Sequence, residues 1–228
     1  MIHKIRSFGV TLITALVLLT TTVSSGAAAP VGKLTDASGI TVSSATATGV
    51  QEGEFTFTVE GSTVACANAE TQGNGEDGAT WGRMHPTYTE CTAFGFINAT
   101  VATIGCDFEA MATEEIEAGV FKGELKIVCE AGKEIIIAAG NVCEVKVGPQ
   151  NIINGTMATN VEVSGKTHVR LHSNKSPVKA NKTKDSFGCP FSGTGETTAT
   201  ANGTTTIKAY TTGTGHNLAN QLNARIVP

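Results

Sequence analysis

Apolar and polar residues alternate with period two along most of this chain, and no long stripe of period 3.6 interrupts them. The segment 54–60, EFTFTVE, sets Phe55, Phe57 and Val59 on one face and Thr56 and Thr58 on the other, as a half-buried strand requires. Thr63–Cys66 reads as its hairpin partner across Gly61-Ser62. The glycines between Gly73 and Gly82 predict a loop, closed by a Cys66–Cys91 disulfide. In the chain-entropy description such a bond is worth about 3 kcal/mol.

The clearest pattern spans Cys106 to Cys129. Placing the two cysteines opposite each other in an antiparallel pair sets Phe108 against Ile127, Ala110 against Leu125 and Ala112 against Gly123 on one face. The other face then receives Glu109 opposite Lys126 and Thr113 opposite Lys122. A slip of one residue would set apolar positions against polar ones. Pattern, charge and disulfide reach therefore agree on Cys106–Cys129.

Further turns divide the rest. Ala131-Gly132 is expected to turn Leu125–Cys129 into Glu134–Ala138, and Gly140-Asn141 to turn that strand into Val142–Val147. The run Ile135–Ala139 predicts a strand covered on both sides, with a short buried helix as the alternative. Cys143 is left to pair with Cys189. Asn202-Gly203 is the strongest short hairpin signal, between Glu196–Ala201 and Thr204–Tyr210. Leu218–Val227 reads either as an edge strand or as one or two helical turns. The expected fold is all-β: one disulfide-stapled antiparallel β-sandwich of about 10–12 strands, with a split into two units near Pro149 as the alternative.

Composition places the chain outside the cytoplasm. Lys4 and Arg6 precede an uncharged apolar run, Phe8–Leu19, and the small residues Gly26–Ala29 follow. This is the layout of a secretory signal peptide over residues 1–28, with the domain occupying 29–228. The apolar run is shorter than the roughly 20 residues a membrane-spanning helix needs. Six cysteines, none in a C-x-x-C knuckle, predict three disulfides in an oxidising compartment rather than a metal site. The expected location is extracellular or in the cell envelope, with no membrane span after leader removal.

Charge is uneven. Residues 30–144 carry 17 acids and 5 bases, and residues 145–228 carry 3 acids and 9 bases. Six cations and no acid lie between Lys166 and Lys184: Lys166, Arg170, Lys175, Lys179, Lys182 and Lys184. They are the candidate contact for a polyanion such as a cell-wall polymer or glycan, unless they face the acidic half of the same chain. Without interleaved aromatics they do not suggest nucleic acid. Trp81, Arg83, His85 and Tyr88 form a candidate ligand contact where the glycine-rich loop meets the sheet. His168 and His172 lie in an alternating, strand-like segment, which separates them by about 13 Å, too far for one metal ion. The acids in Gly73–Gly78 lack the spacing of a calcium loop. No cofactor or metal is expected.

No nucleophile elbow, zinc-protease motif, P-loop or dinucleotide fingerprint occurs, and disulfide-bonded cysteines cannot act as nucleophiles. The expected function is that of a secreted, non-catalytic envelope or extracellular binding or structural module. The alternative is a secreted hydrolase whose site is assembled only in space.

Five blocks, Pro86–Gly95, Ala99–Cys106, Ile127–Lys133, Cys143–Gly148 and Gly188–Gly195, resemble a group of uncharacterised secreted β-rich proteins abundant in some actinobacteria. The resemblance covers most of the chain after about Thr56 and rests on the ordered cysteine blocks. It implies export and an all-β disulfide fold, and it brings no activity or binding residues with it. Lys175–Lys184 departs from the pattern of the group.

Overall fold

The computed structural model describes residues 28–191 and 193–228, so all but the last residue of the expected leader lies outside the described residues. The described chain is built of strands, with no α-helix. The first seven are β1 (Val31–Thr35), β2 (Ser44–Val59), β3 (Ser62–Glu76), β4 (Trp81–Ala93), β5 (Ile97–Ala102), β6 (Cys106–Glu117) and β7 (Val120–Cys129). Six more follow: β8 (Ile135–Ala139), β9 (Cys143–Val147), β10 (Gln150–Val163), β11 (Lys166–Asp185), β12 (Gly195–Thr211) and β13 (Asn223–Val227). The ambiguous C-terminal segment divides between the two expected forms. Leu218–Asn220 makes a single 3-10 turn and β13 completes a two-stranded ribbon with β1.

The other strands form one antiparallel sheet that closes on itself. Hydrogen bonding runs β4–β3–β2–β12–β11, then returns through β10, β7 and β6 to β4, giving a barrel of eight strands. The two packed layers expected from the sequence are replaced by this closed wall. Closure is possible because β4 and β11 each fork. Along one edge β4 pairs with β6 over Trp81–Met84 and with β5 over Cys91–Ala93. Likewise β11 pairs with β10 over Lys166–Ser173 and with β9 over Asn181–Asp185. The lower part of the barrel is thus completed by β6, β7 and β10, and the upper part by β5, β8 and β9. Strands from both sides of Pro149 share the sheet.

The three disulfides are Cys66–Cys91, Cys106–Cys129 and Cys143–Cys189. The first two join residues directly opposite in register, and their sulfurs belong to the interior. Phe108, Ala110 and Ala112 face Ile127, Leu125 and Gly123 as the alternation requires, and Lys126 meets Glu109 at 3.4 Å. Beyond Ala112 the register differs from expectation. A bulge at Thr113 sets Glu114 opposite Lys122, and the Thr113 hydroxyl donates instead to the Lys122 carbonyl.

Other turns move. Val59 pairs with Ser62, so the β2–β3 turn is Glu60-Gly61, both at positive φ, rather than Gly61-Ser62. The Gly73–Gly82 segment is mostly strand: β3 continues to Glu76, and the turn begins at Asp77. Gly73 is needed there because a Cβ would lie 2.1 Å from the Arg83 carbonyl oxygen. A turn follows at Ala131-Gly132, but β7 and β8 do not pair: β7 lies between β6 and β10, and β8 between β5 and β9. Asn202-Gly203 is no hairpin. It is a register shift inside the continuous strand β12, where the Phe55 ring lies so close over Gly203 that a Cβ would stand 2.6 Å from it.

Candidate ligand-binding lumen

Period-two alternation around a closed ring sends every second side chain inward, and in this barrel those residues do not fill the space. An apolar chamber of about 120 Å³ remains in the middle. Its walls include Phe55 and Phe57 from β2, Met84, Pro86 and Tyr88 from β4, Phe108 from β6, Leu125 and Ile127 from β7, and Leu171 and Val178 from β11. The polar lining is confined to hydroxyls, those of Tyr88, Thr71, Thr156, Ser173, Ser176 and Thr205, with no charged side chain. The Thr156 and Ser176 hydroxyls lie 3.4 Å apart.

A second chamber of about 140 Å³ lies below the first. Ala45, Ala47, Ala110, Ala112, Ala158 and Ala209 leave it open, since small side chains reach less far from the wall. The β1–β13 ribbon lies across this lower end, contributing Leu34, Ala224 and Ile226. Hydrogen bonds from the Asn160 amide to Ile226 and from Thr167 N–H to Asn223 tie the ribbon to the wall. Met84 and Leu171 line both chambers.

The upper end is closed by Phe191 from the loop between β11 and β12. Phe191 is buried against Phe57, Val59, Phe94 and Val145 around a remnant of about 20 Å³. Cys143–Cys189 tethers this loop to β9, and the Lys182 ammonium stands 5.8 Å from the Phe191 ring centre.

Tyr88, half-buried, is the largest polar side chain lining the middle chamber, where Thr156 and Ser176 are more deeply buried. Its ring packs against Phe55 with centroids 4.9 Å apart, and burial pushes its phenol well above the ordinary range. Its hydroxyl makes no hydrogen bond among the described residues. The other members of the sequence-read group lie elsewhere. Arg83 and His85 have the opposite parity on β4 and are exposed on the outer face, where both bond Asp107, at 2.8 and 2.9 Å. The Trp81 backbone pairs with Met111, while its side chain lies outside the described parts. Two of the four are therefore together outside, and Tyr88 is inside.

The six cations all lie on β11, and the fold divides them. Lys182 is buried and meets Glu60 at 2.6 Å. Arg170 donates to Glu52 at 2.9 Å, and the Thr206 hydroxyl donates to the same carboxylate. The Thr206 hydrogen bond first, then Arg170, holds Glu52 below the usual carboxylate range. Lys175, Lys179 and Lys184 are exposed, and Lys166 is half-buried. The basic half of the chain thus partly neutralises the acidic half. His168 and His172 both lie on β11. His168 is covered on the outer face, and His172 bonds the Thr204 hydroxyl at 2.7 Å.

No protein-family model matches the chain, and neither a curated protein nor a solved structure does. The lumen was not visible in the sequence as a site, because its lining looks like ordinary core. The one signal was the number of alanines at inward positions, too few large side chains to fill a closed ring of eight strands.

Proposed function

We propose that the protein is an exported, non-catalytic binding module that holds a small apolar molecule inside its barrel. The observation behind this reading is the middle chamber, walled mainly by apolar side chains with a few hydroxyls among them and free of charged lining. Barrels of eight strands are just wide enough either to fill with side chains or to hold one small ligand. A largely apolar space of about this size takes up single-ring molecules. Export is part of the proposal and rests on the leader pattern and the three disulfides. The whole of 29–228 acts as one unit, since the lumen is walled by strands from both halves of the chain.

Calorimetric titration of the oxidised protein with toluene tests it. The expected result is saturable one-to-one binding with a negative heat-capacity change, the mark of apolar burial. Absence of saturable heat, combined with salt-sensitive binding of anionic wall polymers, would transfer the function to the exposed lysines of β11.

A further inference from the structure

We infer that the two chambers work as one channel for a neutral, unbranched amphiphile, whose polar group accepts a hydrogen bond from the Tyr88 hydroxyl while its chain passes between Met84 and Leu171 into the lower chamber. The inference rests on the apolar-lumen reading and names its ligand class: a straight-chain alcohol, or an ester or amide of similar length.

Four observations lead there. First, the chambers are consecutive along the barrel, and both are lined by Met84 and Leu171. These residues stand on β4 and β11, four strands apart either way round the ring, and so on opposite walls. Methionine is unbranched, with three rotatable bonds, and makes a partition that a passing chain can push aside. Second, two chambers of about 120 and 140 Å³ that meet at Met84 and Leu171 suit a linear chain divided between them better than a bulky ring system. Third, the middle chamber offers an ionised head no counter-charge, and burying an uncompensated carboxylate is costly. Fourth, Tyr88 lines the middle chamber and its hydroxyl has no partner among the described residues. It sits four strand positions from Met84 on the same inward face, about 13 Å away. An acceptor placed there satisfies the hydroxyl and leaves the chain directed at the partition.

Binding of a homologous series of straight-chain alcohols, with toluene and decanoate as controls at pH 8, tests this. Wild-type affinity should rise about fourfold per added methylene, continuing past the length that fills the middle chamber alone. Tyr88→Phe should weaken alcohols about fivefold to tenfold and leave toluene unchanged. Met84→Phe, which thickens the partition, should abolish the gain for long alcohols while short ones bind as before. Met84→Leu, which conserves volume but is branched and stiffer, should blunt the gain for long alcohols, and serves if the Phe variant does not fold. Three results each overturn the inference: an affinity plateau at short chains in the wild type, indifference to Tyr88→Phe, or decanoate binding as well as decanol. The last would instead place a charged head at the lower mouth, near Lys33 and Arg225. If toluene and alcohols both fail to bind, it is the apolar-lumen reading itself that fails.

Discussion

Met84 and Leu171 face the lumen from opposite walls of the barrel, and each lines both of its chambers. Met84 is buried and stands between the middle and lower chambers. Met84→Ala should therefore merge them and cost about 2–5 kcal/mol, the range for large-to-small changes in a core that cannot collapse. Met84→Leu should cost under about 1.5 kcal/mol. Urea unfolding of the oxidised proteins measures both, and equal midpoints for Met84→Ala and wild type would show that the residue divides nothing.

Cys106–Cys129 fixes the β6–β7 register at one end. Replacing both cysteines with alanine should lower stability by about 3 kcal/mol. Breaking the neighbouring Glu109–Lys126 pair should cost under about 1 kcal/mol, because both side chains are partly in water and salt screens them. A reversed ranking in denaturant titrations would mean that the surface charges, not the crosslink, hold the hairpin.

Gly73 and Gly75 lie two positions apart in β3 and should respond oppositely to alanine. At Gly73 the new Cβ meets the Arg83 carbonyl, a backbone atom that cannot step aside, and a loss of about 1–3 kcal/mol is expected. At Gly75 nothing lies within 4 Å and φ is not positive, so Gly75→Ala should be neutral or stabilising by up to about 1 kcal/mol. Thermal unfolding of the two variants decides it. Equal tolerance at both sites is what a loop over Gly73–Gly82 would give.

His168 makes stability depend on mild acid. Burial, then the positive charges of Lys208 and Lys166, hold its pKa below the ordinary 6.5, against the opposing hydrogen bond to Val163. Between the folded and unfolded values the unfolded chain binds more protons, so stability rises with pH there. The contribution is complete above about 6.5 and is lost as pH falls toward the folded value. Glu52 and Asp77 are depressed from 4.5 and 3.8, so their contributions are lost only in stronger acid. The urea midpoint of the wild type should therefore drop between pH 7.5 and 5.5, and His168→Asn should flatten that drop. An unchanged slope in the variant would assign the effect to other groups.

Local pairings were legible in the sequence, and closure was not. The Cys106–Cys129 register followed from side-chain alternation, a cross-strand charge pair and the reach of a disulfide, all within one hairpin. Closure depends on β4 and β11 each taking two successive neighbours along one edge, a relation between residues far apart that no local pattern encodes. Asn202-Gly203 misled because the same dipeptide serves a turn or a tight approach, and only the Phe55 ring distinguishes them. The grouping of Tyr88 with Arg83 and His85 followed nearness along the chain. The alternation already placed Tyr88 on the opposite face.

The central claim is that the middle of the barrel is an apolar chamber built to be occupied. Crystals of the oxidised protein pressurised with xenon test it directly, because xenon enters apolar voids without needing a polar partner. A xenon atom is expected between Phe57 and Met84, beside Tyr88 and Leu125. A chamber filled instead by hydrogen-bonded water, or walls collapsed so that neither enters, would contradict it.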